Sequence, residues 1–219
     1  MTARDEILER IATAHRYAPP AAPDYDDIPR VRPSEDQDRR TERLIELLVD
    51  RLVDYRARVR TATAETLPSM ITDALTEQGI SSLVAPAGLP EGWLSESAAD
   101  VLRDEPEHPL SVIDLDRVDG VITGCAVAIA ETGTLILDAS SGQGRRALTL
   151  IPDYHLCVVS QDAVVPDVPQ ALARVDPTRP LTMISGPSAT SDIELNRVEG
   201  VHGPRTLEVI VVTTPADRA

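Results

Sequence analysis

Apolar residues recur along this chain with two different periods, and the change falls near residue 80. Ile7, Leu8, Ile11 and Ala12 share one face of a short helix. A proline-rich stretch follows, with Pro19, Pro20, Pro23, Pro29 and Pro33. Proline removes backbone donors and fixes φ, so this reads as an extended linker. Ser34, with Gln37 three residues on, has the form of a capping box. Beyond it Leu44, Leu48, Leu52, Tyr55 and Val59 fall at helical spacings of three and four. Asp54 and Arg58 then form an i,i+4 pair on the exposed side of that helix. A third helix has Pro68 in its first turn and Leu67, Met70, Ile71, Ala74 and Leu75 as its face. Gly79 is its stop. The first third of the chain therefore reads as helical.

From Ile80 onward short apolar runs replace the helical period, at 80–85, 110–115, 126–129, 134–137, 156–159, 181–184 and 207–212. Several are continuous rather than alternating, the mark of strands buried on both faces. Helical stretches at 95–103, 168–174 and 192–198 separate some of them. Strand–helix alternation predicts an α/β fold, a mostly parallel open sheet with helices on both faces, preceded by an N-terminal helical segment. The expected division is a helix and linker over 1–33 and one domain over 34–219, with opening helices at 34–79 and the sheet region at 80–213.

Composition narrows the picture. Aromatic residues are 2 % of the 219 positions and Phe is absent, so the core must be built from Leu, Val, Ile and Ala. All 21 basic residues are Arg, which with the Ala-rich usage points to a GC-rich bacterial genome. A net charge of −15 offers no cationic footprint for nucleic acid and disfavours anionic membranes. No apolar run reaches the ~20 residues of a membrane span, and the charged start has no signal core, so a cytoplasmic location is expected. Cys125 and Cys157 belong to no CxxC or Cys/His cluster, and His15, His108 and His155 make no metal-like spacing. No metal and no cofactor is expected, and those three histidines read as surface or packing residues.

Four segments hold residues capable of chemistry. Ala130-Glu131-Thr132-Gly133-Thr134 sets a carboxylate and two hydroxyls in a tight turn between apolar runs. It is either a strand-end site that presents the Glu131 carboxylate, or a turn satisfying its own backbone. Ser185-Gly186-Pro187-Ser188-Ala189-Thr190-Ser191-Asp192-Ile193-Glu194 crowds hydroxyls at the start of an expected helix. Such a start suits an anion, and ordinary capping explains one of the hydroxyls but not four. Gly200-Val201-His202-Gly203-Pro204-Arg205 holds His202 on a constrained loop, as an acid/base or an anion contact, with Arg205 as a carboxylate partner or a solvated charge. Asp138 to Arg146 contains a Gly-x-Gly fragment short of a dinucleotide fingerprint, and its Arg pair, Arg145 and Arg146, reads as structural or solvated more readily than as a carboxylate or phosphate contact.

In this order the segments resemble the LUD family. Ala130-Glu131-Thr132-Gly133-Thr134-Leu135 is similar to its central signature. Ser185-Gly186-Pro187-Ser188, Thr190, Asp192-Ile193-Glu194 and then Gly200-Val201-His202-Gly203-Pro204 resemble the C-terminal signature of its lactate-utilisation protein C branch. The resemblance spans about Ile80 to Thr213. It implies a NagB/RpiA/CoA-transferase-like fold and a role in bacterial oxidation of L-lactate to pyruvate. The expected part is an accessory or regulatory subunit without its own iron–sulfur cluster, beside iron–sulfur components as partners. Two other readings stay open. One is an independent enzyme of that superfamily acting on a small carboxylic acid or its CoA or phosphate derivative, with Glu131 as nucleophile. The other is a module binding a small carboxylate. In each, Glu131, Thr132, Gly133, Ser185, Asp192, Glu194 and His202 share a pocket.

Overall fold

A computed structural model describes residues 3–16, 37–190, 198–199 and 203–214. The chain divides into two units, Met1–Asp36 and Gln37–Ala219. In the first, helix α1 (Ala3–Arg16) places Ile7, Leu8 and Ile11 on one exposed face. Arg10 pairs with Glu6 at 2.8 Å, an i,i+4 contact on the helix surface. Ser34 of the expected capping box lies outside the described residues.

The second unit opens with α2 (Gln37–Asp54), β1 (Arg58–Ala62), α3 (Leu67–Glu77), β2 (Ser82–Pro86), β3 (Asp100–Asp104) and α4 (Val112–Arg117). There follow β4 (Gly120–Gly124), β5 (Val127–Ile129), β6 (Thr134–Leu137), β7 (Tyr154–Ser160), β8 (Val164–Val165) and α5 (Val168–Arg174). The last elements are β9 (Thr182–Ile184), β10 (Ala189–Thr190), β11 (Val198–Glu199) and β12 (Thr206–Val212). Six strands form a parallel sheet in the order β1-β12-β7-β4-β2-β3. A second, four-stranded sheet runs β8-β5-β6-β9, and β10 pairs with β11.

Side-chain alternation assigns the faces of the large sheet. Leu207, Val209 and Val211 of β12 and Cys157 and Val159 of β7 pack with Leu48 and Leu52 of α2 and with Ala128, Leu135 and Leu137 of the small sheet. Leu156, Val158 and Ile210 point the other way, against Leu67, Ile71, Ala74 and Leu75 of α3. On its far side the small sheet buries Val127, Ile129 and Ile136 with Ala171 of α5. Leu115 of α4 meets Val84, Val121 and Leu148. The sheet thus has helices on both faces, as the strand–helix alternation predicts. The Phe-free core is built chiefly of Leu, Val, Ile and Ala.

Several expected elements differ. The run 110–115 is not a strand. Ser111 and Asp114 close a reciprocal capping box, which starts α4 and leaves Val112 and Ile113 exposed. The stretch 95–103 is not a helix. It turns and then enters β3, because pairing along β2 outweighs a weak helical period. The long helix stops at Asp54, before Val59. Arg56 adopts φ 66°, the chain reverses, and Val59 joins β1. Asp54 consequently meets Arg51 at 3.4 Å rather than Arg58. The first third is therefore not wholly helical, since β1 lies within it. In 192–198, Val198 begins β11 and the preceding residues lie outside the described ones.

Candidate functional site

The two signature turns meet. β5 and β6 form a hairpin whose turn holds Glu131, Thr132 and Gly133. Thr132 Oγ1 and Thr134 Oγ1 are 2.8 Å apart, and Thr134 Oγ1 is 2.8 Å from Ser185 Oγ at the end of β9. One chain of hydroxyls therefore joins segments far apart in sequence. Both turns also abut the end of α2. Gly133 has φ 59°, and a Cβ there would lie 2.8 Å from Cβ of Arg51. Gly186 has φ 90°, and a Cβ there would lie 2.7 Å from Cβ of Tyr55. Both positions need glycine for conformation and for space. Glu131 is exposed, and its N–H donates to Pro166 O at 3.1 Å.

Beside these turns lies a cleft of about 340 Å³. Thr182 to Ser188 form one wall and Gly203, Pro204 and Leu207 another. Arg146, Thr149 and His155 complete it. Ser188 N–H donates to Pro204 O at 2.8 Å, which ties the two walls together. The cleft sits where β7 and β12 begin, since His155 and Leu207 are second residues of their strands. Open parallel sheets commonly build sites at the opposite, carboxyl ends of strands. The expectation that placed Glu131 in the site used that rule, and Glu131 is not among the residues lining this cleft.

The cleft thus takes in Ser185, Gly186, Ser188 and Gly203 from the expected set, while Thr132 and Thr134 reach it through Ser185. Thr190 lies in β10. Ser191, Asp192, Glu194 and His202 lie outside the described residues. Arg205 turns to Asp153, its Nε donating to Oδ1 at 2.6 Å and its Nη2 to Oδ2. That pair holds the Asp153 carboxyl below its ordinary range.

Two lining residues fall outside the signature segments. His155 is 1 % exposed, and its Nε2 lies 2.8 Å from the hydroxyl of Thr123 on β4. Burial pushes its pKa down to about 3, and the nearby Arg146 charge adds to the effect, so the imidazole is neutral at pH 7. Arg146 is exposed at the mouth, where its Nη1 donates to Thr149 O at 2.8 Å and to Thr149 Oγ1 at 3.0 Å. Its neighbour Arg145 does structural work. It grips Asp104 with two bonds of 2.9 and 2.8 Å and donates to Leu110 O. Burial alone would raise the Asp104 carboxyl, but Arg145 and the Leu110 N–H outweigh it and hold it low. No local signal in the sequence separates His155 from a packing histidine, since it is the second residue of a strand whose next four positions are apolar.

A model of the LUD domain family matches residues 45–212. The chain belongs to the LUD family. A Deinococcus radiodurans protein named Lactate utilization protein C is 56 % identical over 167 residues, covering 74 % of this chain and 76 % of that one. A protein of the same name from Halalkalibacterium halodurans is 25 % identical over 223 residues, 95 % of each chain. The crystal structure of a DUF162 family protein from Deinococcus radiodurans superposes with TM-score 0.67 at 47 % identity. That superposition covers 79 % of this chain and 98 % of the other.

Elsewhere in this LUD domain, buried polar groups are paired. Glu208 of β12 is 0 % exposed and accepts from Tyr154 Oη at 3.0 Å and from Arg60 Nε. Arg60 also pairs with Glu77 of α3. Burial pushes the Tyr154 phenol well up, and the Glu208 charge adds to it. Cys125 and Cys157 are free thiols. Cys157 beside it, with burial, pushes the Cys125 thiol up, away from the nucleophilic thiolate. Among the described residues no three His, Cys, Asp or Glu gather as a metal site. No described helix is long and apolar enough to cross a membrane.

Proposed function

We propose that this LUD-family chain serves bacterial lactate utilisation as an accessory subunit of an L-lactate-oxidising system. Its iron–sulfur partners carry the electrons, and this chain contributes a domain without a cluster of its own. The observation that carries this reading is the 56 % identity, over three quarters of both chains, to a protein named Lactate utilization protein C. Identity at that level preserves fold and core, and the more distant relative of the same name spans nearly the whole chain.

Deletion of the gene, followed by growth on L-lactate as sole carbon source, tests the role. Loss of growth, restored by the wild-type gene, is the expected result. Normal growth of the deletion strain would sink the proposal. Purification of the tagged chain from lactate-grown cells tests the subunit arrangement. Iron and labile sulfide are expected in the eluate, together with lactate-dependent dye reduction. The rival reading, acyl transfer through a Glu131 carboxylate, has less support, because Glu131 stands on an exposed turn and is not among the residues lining the cleft. A large loss of CoA-dependent turnover in Glu131→Ala would revive it.

A further inference from the structure

We propose that the cleft bounded by Arg146, His155 and the Thr182–Ser188 wall binds a monocarboxylate carrying an oxygen on its second carbon, a 2-hydroxy or 2-oxo acid. The ligand class rests on the lactate reading; the existence of an anion site rests on geometry alone. Arg146 is the one formally charged side chain among the described residues that line the cleft. It stands out on a chain of net charge −15, where a cation facing a cleft runs against the prevailing field. Thr149 braces its guanidinium at the mouth. The carboxylate class itself comes from the lactate reading, and inorganic phosphate is its rival for the same guanidinium.

The second observation is His155. The ring is 99 % buried by its 1 % exposure, and Nε2 is engaged by Thr123. The other nitrogen, Nδ1, has no hydrogen-bond partner among the described residues, yet no fully buried side-chain N or O among them lacks one. Nδ1 therefore reaches the accessible space of the cleft that the ring lines. A neutral imidazole carries one donor and one acceptor, and the group opposite selects which nitrogen is which. Here that group is a hydroxyl, able either to donate to Nε2 or to accept from it. When Thr123 donates, Nδ1–H is a donor suited to a 2-oxo oxygen. When Thr123 accepts, Nδ1 is an acceptor suited to a 2-hydroxyl. The Thr123–His155 pair thus accommodates both members of a hydroxy-acid/oxo-acid couple, with no change of charge. The apolar wall of Met183, Ile184 and Leu207 and the 340 Å³ volume leave room for a chain longer than three carbons.

Isothermal titration of the full chain with L-lactate, pyruvate, 2-oxobutyrate, 2-oxoisocaproate, acetate and inorganic phosphate tests this. The expected result is saturable binding of 2-hydroxy and 2-oxo acids, weakened roughly tenfold to hundredfold by Arg146→Ala, the loss of a charge-assisted contact. Arg146 is exposed, so this variant should fold, and an unchanged melting temperature checks that it does. His155→Phe is expected to erase the preference for 2-oxygenated acids over acetate. In ¹⁵N spectra of the histidine ring, lactate and pyruvate are expected to shift Nδ1 in opposite directions. Binding of longer 2-oxo acids but of neither lactate nor pyruvate upholds the site and overturns the lactate role. Phosphate bound in preference to every acid overturns the carboxylate assignment. No binding at about 10 mM ligand, or binding indifferent to Arg146→Ala, overturns the site, whatever the deletion strain does on lactate.

Discussion

Tyr154 and His155 are neighbours on β7, yet they enter two different worlds. Tyr154 points to the α3 face, where it meets Glu208, and Arg60 links Glu208 to Glu77. His155 points to the opposite face, at the floor of the cleft, where no carboxylate accompanies it among the described lining residues. Both faces bury a titratable group. One compensates with a countercharge and hydrogen bonds; the other stays neutral and leaves a ring nitrogen facing open space. A face closed by protein on all sides must pair its charge internally. A face that opens to a cleft can leave a polar atom for something that comes from outside.

The largest expected effect breaks the paired face. Arg60→Ala removes the cation from a carboxylate with 0 % exposure, and stranding a buried charge this way costs about 3–5 kcal/mol. Urea unfolding monitored by circular dichroism measures it. The double variant Arg60→Met with Glu208→Leu is expected to recover most of the loss, because it removes both charges. A single-variant loss below about 1 kcal/mol would mean that Glu208 is solvated, and the contrast between faces would fail.

The neutral face is next. The folded pKa of His155 is about 3, against an ordinary 6.5. As pH falls through 6.5 the unfolded chain takes up a proton that the folded chain refuses. Stability is therefore full above pH 6.5 and is lost between 6.5 and 3, at roughly 1.4 kcal/mol per pH unit from this group. Asp104, held below its ordinary value, adds its own loss only at lower pH, as its carboxyl is protonated. Unfolding free energies at pH 7, 6 and 5 check the slope, and His155→Phe is expected to flatten it. An unchanged slope in that variant would show that the imidazole is already charged in the fold.

Much of the contrast was hidden from sequence for a physical reason. The hydrophobic period marks α3, β5, β6, β7 and β12, because each buries one face or both, and it marks β9 although Met183 there is exposed. It misses β1 and β3, edge strands whose Arg58, Arg60, Asp100 and Arg103 break up the pattern, and the central β4, whose apolar pair Val121–Ile122 is flanked by Gly120, Thr123 and Gly124. It mistakes α4 for a strand, since Leu110, Val112 and Ile113 read as a run although only Leu115 of the helix is buried. Of the site, Ser185, Gly186, Ser188 and Gly203 are legible, because turn chemistry is local. Arg146 and His155 are not. They meet only when the loop before β7 is folded against the β9 turn, and no spacing along the chain encodes that meeting.

The glycines under α2 sharpen the contrast at smaller scale, since they set the wall of the open face. Gly186→Ala forces a side chain into a φ of 90° and to 2.7 Å from Tyr55 Cβ. Gly133→Ala does the same at 59° and 2.8 Å from Arg51 Cβ. Each is expected to cost roughly 1–3 kcal/mol, read from thermal melts. Gly186→Ala should also alter the cleft, because Gly186 lines it and Gly133 does not. If Gly133→Ala disturbed ligand binding as much, the hydroxyl chain through Thr134 and Ser185 would be transmitting the strain.

The smallest expected effect concerns a pair that looks, on paper, like the Arg60–Glu208 bridge. Arg205 grips Asp153 with two short bonds just before β12, but the side chains are 59 % and 53 % exposed. Water solvates both partners when the bridge opens, so the geometry carries little free energy. A double-mutant cycle of Arg205→Ala and Asp153→Ala is expected to give a coupling of about 0–1 kcal/mol, falling further as salt is raised. Similar bonds would then differ severalfold in worth across a few residues of one sheet. Burial sets that ratio, and a coupling above about 2 kcal/mol would show instead that bidentate geometry alone suffices.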